Sequence, residues 1–180
     1  MALAYTKGMP LGTEAPAFEL PGVDGEMHAL SRYAEATAVV VVFTCNHCPY
    51  AVAVEERLIA LQREYGPRGV QLIAISANDH PSDTFPKMQQ RAKERGFNFP
   101  YLYDESQEVA RAYGAACTPD IYAFGPNRAL AYNGRFDDSW QDAAAVQRRE
   151  LALALDRILD GKPVDFEVTA SMGCSIKWRD

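Results

Sequence analysis

The chain has 180 residues, a formal net charge of -6, 48% hydrophobic residues and 23% charged residues. That length suits one compact domain able to bury a core without cross-links, and the composition is that of a globular protein, not a disordered one. Mild acidity without a Lys or Arg cluster leaves no electrostatic footprint for nucleic acid or anionic lipid, and no run nears the ~18 apolar residues of a membrane span.

The opening MALAYTKGMPLGTEAPAF lacks a basic segment followed by an unbroken apolar one, so a cytoplasmic protein is expected, with neither nucleic acid nor membrane as partner. APAFELPGVDGEMHALSRY carries Asp24-Gly25 between two short runs and predicts an N-terminal β-hairpin. Ala38 to Phe43, AVVVVF, is a continuous β-branched run and predicts a central strand covered on both faces. Val54, Leu58, Leu61 and Tyr65 recur at helical spacing until Gly66-Pro67 halts the pattern. Gly69 to Ser76 predicts a second buried strand, followed by a helix with Ser82 or Asp83 as cap and Gly96 past its end. Asp104 and Gln107 have the spacing of a capping box before a short helix closed by Gly114. DIYAFGPNRALAYNG predicts a hairpin about its GPN, and Leu151, Leu155, Ile158 and Leu159 mark a last helix ended by Gly161 and Pro163. No internal repeat or low-complexity segment intervenes. Helices between buried strands require right-handed crossovers and a mostly parallel sheet, to which the final strand-strand-helix adds antiparallel edges.

Between the first strand and the first helix lies FTCNHCPY, a C-x-x-C pair formed by Cys45 and Cys48. In a reducing compartment such thiols are buried small side chains, redox groups or metal ligands, not permanent cross-links. Thiol-disulfide exchange needs a thiolate nucleophile and a second thiol in reach, and two intervening residues supply that reach. If Cys45 caps a helix starting near His47, backbone N–H groups and the helix dipole lower its pKa, making it the attacking thiol and Cys48 the resolver. A protonated His47 adds to that stabilisation, though a solvated loop histidine without electronic role is the plain alternative. Dithiol chemistry of this kind needs no bound cofactor. Structural zinc would call for a second close ligand pair, which the sequence lacks; Cu(I) capture by the soft thiolates is the stronger rival, with Cys117, Cys174 or His80 as further ligands.

The strand running into CNHCP, the later TPD and the β-α-β then β-β-α order resemble the thioredoxin-like superfamily. With APAFELPGVDGEMHALSRY, NGRFDD and the terminal GCSIKW, nearly the whole chain is similar to its peroxiredoxin-like members labelled thiol-disulfide isomerase. The resemblance implies an α/β thioredoxin-like fold: a central mixed sheet with helices on both faces, an N-terminal β-hairpin extension (1–36) and a C-terminal tail (162–180) on a single domain (1–180). It also implies that Pro119 is a cis-proline opposite the thiols, and that the loop with Thr118 pairs with an incoming peptide or small thiol substrate. A disulfide-bearing protein or small thiol, and a redox partner, are the implied partners. His47 stands where strongly oxidising disulfide donors also carry histidine, implying an oxidising poise. Two departures matter. Thioredoxins bury an acid where this chain has Val39 and often carry an aromatic residue where it has Thr44. Peroxiredoxins need a threonine where Cys45 stands and an arginine near Thr118, so peroxidase activity is not expected. Cys117, two residues before Pro119, and Cys174, in a tail expected to fold back on Ile176 and Trp178, are candidate auxiliary thiols. Arg135, Asp137 and Asp138 are read as surface charges joining the hairpin to the last helix. Trp140 and Trp178 are read as packing residues.

Overall fold

A computed structural model describes residues 2–179; Met1 and Asp180, the ends of the expected domain span, lie outside the described residues. The predicted central strand is β4 (Ala38–Phe43), with every residue buried. Strand side chains alternate between faces. Ala38, Val40 and Val42 therefore pack with Leu58, Leu61, Leu151 and Leu155 on one side. Val39, Val41 and Phe43 pack with Phe18, Leu30, Ala110 and Tyr113 on the other. Two hydrophobic layers, one on each face, account for an apolar run without alternation.

β4 pairs in parallel with β5 (Val70–Ser76), which pairs in parallel with β6 (Tyr101–Tyr103). On its other side β4 pairs antiparallel with β8 (Asp120–Phe124), which forms the predicted hairpin with β9 (Leu130–Asn133). The order is β6-β5-β4-β8-β9. The sheet is thus half parallel and half antiparallel, and an antiparallel strand lies beside its centre as well as at its edge. Helices α1 (Pro49–Tyr65), α2 (Phe85–Arg95) and α4 (Glu150–Leu159) pack on one face; α3 (Glu108–Ala112) packs on the other. The N-terminal hairpin, β2 (Glu19–Pro21) with β3 (Met27–Ala29), turns at Gly25 with φ +87°. It docks on β6 through Val23 N–H to Tyr101 O at 3.0 Å.

Two helix starts differ from expectation. The cap of α2 is Thr84, without a side-chain bond, because the Asp83 carboxylate is turned into the interior. At α3 the cap is Gln107, while Asp104 Oδ2 accepts Ala110 N–H at 2.8 Å. Gln107 instead spends its amide on the tail, donating to Lys177 O at 2.8 Å and accepting Arg179 N–H at 2.8 Å. At α2 a tertiary contact takes the Asp83 carboxylate from the cap, whereas at α3 Asp104 still supplies a first-turn bond and only Gln107 is drawn to the tail.

The tail folds back as expected. Its strand β10 (Met172–Ser175) lies between β1 (Leu3–Tyr5) and the two-residue β7 (Cys117–Thr118). Among the described residues, no helix is long and apolar enough to cross a membrane.

Candidate functional site

After Phe43 the chain leaves the sheet, and the four residues from Cys45 to Cys48 lead into α1. The cap of α1 is Cys48, with φ -76° and ψ 123°, and Pro49 holds the first helical position. The expectation that Cys45 caps a helix starting near His47 is thereby corrected. Proline is preset for that position and lacks the N–H that would be idle there, and it drives the preceding residue into extended geometry. The Ala51 N–H consequently reaches the Cys48 sulfur, not that of Cys45.

Facing the pair is the Thr118-Pro119 peptide bond, which is cis. Thr118 addresses both thiols: its Oγ1 lies 3.3 Å from Cys45 Sγ, and its carbonyl O lies 3.1 Å from Cys48 Sγ. Cys45 is 2% and Cys48 0% exposed. β10 delivers Cys174 to the same place, in one buried cluster with Cys45, Cys48 and Ala51, its thiol in hydrogen-bond contact with the Cys48 sulfur. Cys117 points elsewhere. Adjacent strand residues face opposite sides, and the Cys117 thiol donates to Pro119 O at 3.6 Å. Burial pushes its pKa well above the ordinary thiol value.

Cys45 and Cys48 share a proton unequally. The hydrogen bond from the Cys45 thiol, with those from Cys174 and Ala51 N–H, holds Cys48 well below the usual thiol range against the opposing effect of burial. The Thr118 side chain adds to the lowering, while the Thr118 carbonyl accepts from Cys48 Sγ. Cys45 is pushed up, first by that hydrogen bond to Cys48, then by burial and by the Asp83 carboxylate. Within the pair the lowered thiol is therefore Cys48, where the sequence reading expected Cys45.

Asp83 is the residue whose part sequence reasoning missed. It is fully buried, accepts Asn46 N–H at 2.6 Å and pairs with His47 Nδ1 at 2.5 Å. His47 also stacks on His80, with ring centroids 3.9 Å apart, so it is a fixed residue and not a solvated one. The signal was the polar run His80 to Asp83 just past the carboxyl end of a buried parallel strand, where open α/β sheets gather their sites. Cys45, His47 and Asp83 each offer a ligand atom within 4.8 Å of the others, a spacing compatible with a metal ion.

Against Pro119 a groove runs between Tyr50, Phe136, Asp138 and Trp140. Trp140 lies against Tyr50 at 4.0 Å and so forms a wall of this groove, a place its sequence context did not signal. Arg135 does join the hairpin to the last helix, through Glu150, whereas Asp137 pairs with Arg57 of α1.

Residues 11–133 match the AhpC/TSA family. Over 108 residues the chain is 32% identical to the thiol-disulfide oxidoreductase ResA of Halalkalibacterium halodurans, a match covering 60% of this chain and 58% of that protein. The chain spans less than two thirds of the length of the curated relatives it matches. A crystal structure of an uncharacterized conserved protein from Geobacillus kaustophilus superposes with a TM-score of 0.95 at 42% identity, covering 99% of this chain and 97% of that one. A thiol:disulfide interchange protein of the thioredoxin family from Chlorobium tepidum superposes at 0.67 with 18% identity, covering 84% and 99%. The fold is therefore thioredoxin-like.

Proposed function

The chain belongs to the AhpC/TSA family, and from that premise we propose that it is a thiol-disulfide oxidoreductase acting through Cys45 and Cys48 on protein or small-molecule disulfides. One observation carries the reading: two cysteine sulfurs at a strand-to-helix junction, both addressed by Thr118 of a cis Thr-Pro pair. Cys45 gives its proton to the Cys48 thiolate and attacks one sulfur of the substrate disulfide, forming a mixed disulfide and expelling the first thiolate. Cys48 then loses its proton, attacks Cys45 Sγ and expels the second. The first leaving thiolate takes the proton that Cys48 gives up, the second takes one from solvent, and two electrons pass to the substrate.

His47, fixed by Asp83, tunes the charge beside Cys45, and Thr118 and Pro119 line the substrate side. Residues 1–180 are read as one domain, and the buried thiols favour a reducing, cytoplasmic setting with an external redox partner. The rival reading is Cu(I) capture by the soft thiolates of Cys45 and Cys48, and Cys45 also lies at metal-ligand spacing from His47 and Asp83. It would give tight Cu(I) binding with little disulfide turnover.

The test is a mixed-disulfide trap. The wild-type protein, reduced, should cleave a model disulfide; Cys45→Ser should abolish cleavage, and Cys48→Ser should accumulate a covalent adduct at Cys45. Equal residual activity in the two variants would refute the assigned roles.

A further inference from the structure

The β7 edge beside the thiols is already paired. β10 runs antiparallel to it, with Cys174 opposite Thr118 and Ser175 opposite Cys117. The tail thus fills the slot in which an extended peptide would add as a strand. The approach is close at Gly173, where a Cβ would lie 2.0 Å from Thr118 O. The far edge of β10 is held by β1, with Leu3 opposite Cys174. Beyond the strand, Ile176 N–H bonds to Ala116 O at 3.2 Å and Lys177 N–H to Asn78 Oδ1 at 2.8 Å. Cys174 is therefore presented from a strand anchored on both edges and at its exit, and it lies in one buried cluster with Cys45 and Cys48.

We propose that Cys174 is a third exchanging thiol, delivered to Cys48 by β10 as a built-in substrate strand. The proposal rests on the reading of Cys45 and Cys48 as an exchanging pair and adds a step to it. Once Cys45 and Cys48 are joined, the Cys174 thiolate attacks Cys48 Sγ. A Cys48–Cys174 bond forms, the Cys45–Cys48 bond breaks, and its electron pair passes to Cys45, which takes up the proton Cys174 gave up. The total oxidation state is unchanged, so no outside oxidant or reductant enters this step. Its products are a stapled tail and a Cys45 thiol released for a new attack while the protein still holds its disulfide.

The experiment maps linkages in the full-length protein oxidised by oxidised glutathione, quenched with acid, alkylated and digested. Wild type should yield both Cys45–Cys48 and Cys48–Cys174 peptides, the second at no less than about a tenth of the first, a tenfold ratio being ~30 mV in this couple. Cys174→Ser and Cys174→Ala should each leave Cys45–Cys48 alone. If wild type closes Cys45–Cys48 and gives no Cys174 linkage, the third thiol is refuted and the exchanging pair stands. If wild type closes no disulfide at all, both readings fall. The decisive wild-type measurement requires no variant to fold.

Discussion

Asp120 directly follows the cis Thr118-Pro119 bond and is shut away from water, and burial pushes its carboxyl up from 3.8 to about 6. Ala116 N–H, Tyr122 Oη and Asn133 Nδ2 donate to it at 3.1, 3.2 and 3.4 Å, which limits the rise. A carboxyl whose folded pKa is raised binds more protons folded than unfolded between the two values, so its contribution to stability falls as pH rises through that window. Asp120→Asn removes the titration. Relative to the variant, wild type should lose stability between pH 3.8 and about 6, by up to roughly 1.4 kcal/mol per pH unit, and follow it in parallel above. Denaturant unfolding across that range checks this; a constant difference would mean that Asp120 titrates normally. The same scale explains the thiols. Cys45 and Cys48 are three residues apart and equally buried, yet only Cys48 has the Ala51 N–H and the Cys174 thiol beside it, and only Cys45 faces the Asp83 carboxylate.

At the scale of elements, β10 depends on closeness more than on length. Its four residues pair with only two of β7, and they fit because Gly173 has no side chain to meet the Thr118 carbonyl. Gly173→Ala forces a Cβ against rigid backbone, so the strand must shift, at a cost of about 1–3 kcal/mol. Faster amide exchange over residues 172–175 and faster alkylation of Cys48 and Cys174 are expected in native buffer. Unchanged protection in both would mean that β10 does not shield the thiols. The start of α1 obeys a simpler rule, since Pro49 at its first position fixes where the helix begins and hence which cysteine takes its N-terminus.

Across the whole molecule, Arg57 ties α1 to the segment between β9 and α4. It pairs with Asp137 and donates to Ser139 O at 2.9 Å and Trp140 O at 2.7 Å, so it also sets the wall of the groove beside Pro119. The Asp137 side chain is 2% exposed. Removing its partner strands a buried carboxylate, a loss of about 3 kcal/mol. Arg57→Ala should lower the thermal midpoint by roughly 6–12 °C, and Asp137→Asn in that background should restore part of it. A shift near zero would show the pair to be no more than a surface contact. The two chain ends meet in the same economy of contacts: β1 covers one edge of β10, and Gln107, Asn78 and Ala116 hold the tail beyond it.

By itself the sequence determined what local chemistry can write. The AVVVVF run required a strand covered on both sides, Asp24-Gly25 a hairpin turn, the recurrence of Val54, Leu58, Leu61 and Tyr65 a helix, and the C-x-x-C its position between strand and helix. These signals act within a few residues, where side-chain periodicity, proline and glycine geometry decide the outcome. Only the tertiary structure decided that Asp83 would leave its helix to hold Asn46 and His47, that Cys117 would turn from the pair, and that Cys174 would reach it. β1, β6, β7 and β10 have two to four residues each, too few to show a period. A short strand gains its hydrogen bonds only when a partner edge arrives from elsewhere in the chain. A buried carboxylate likewise chooses among its donors only after the core has closed around it.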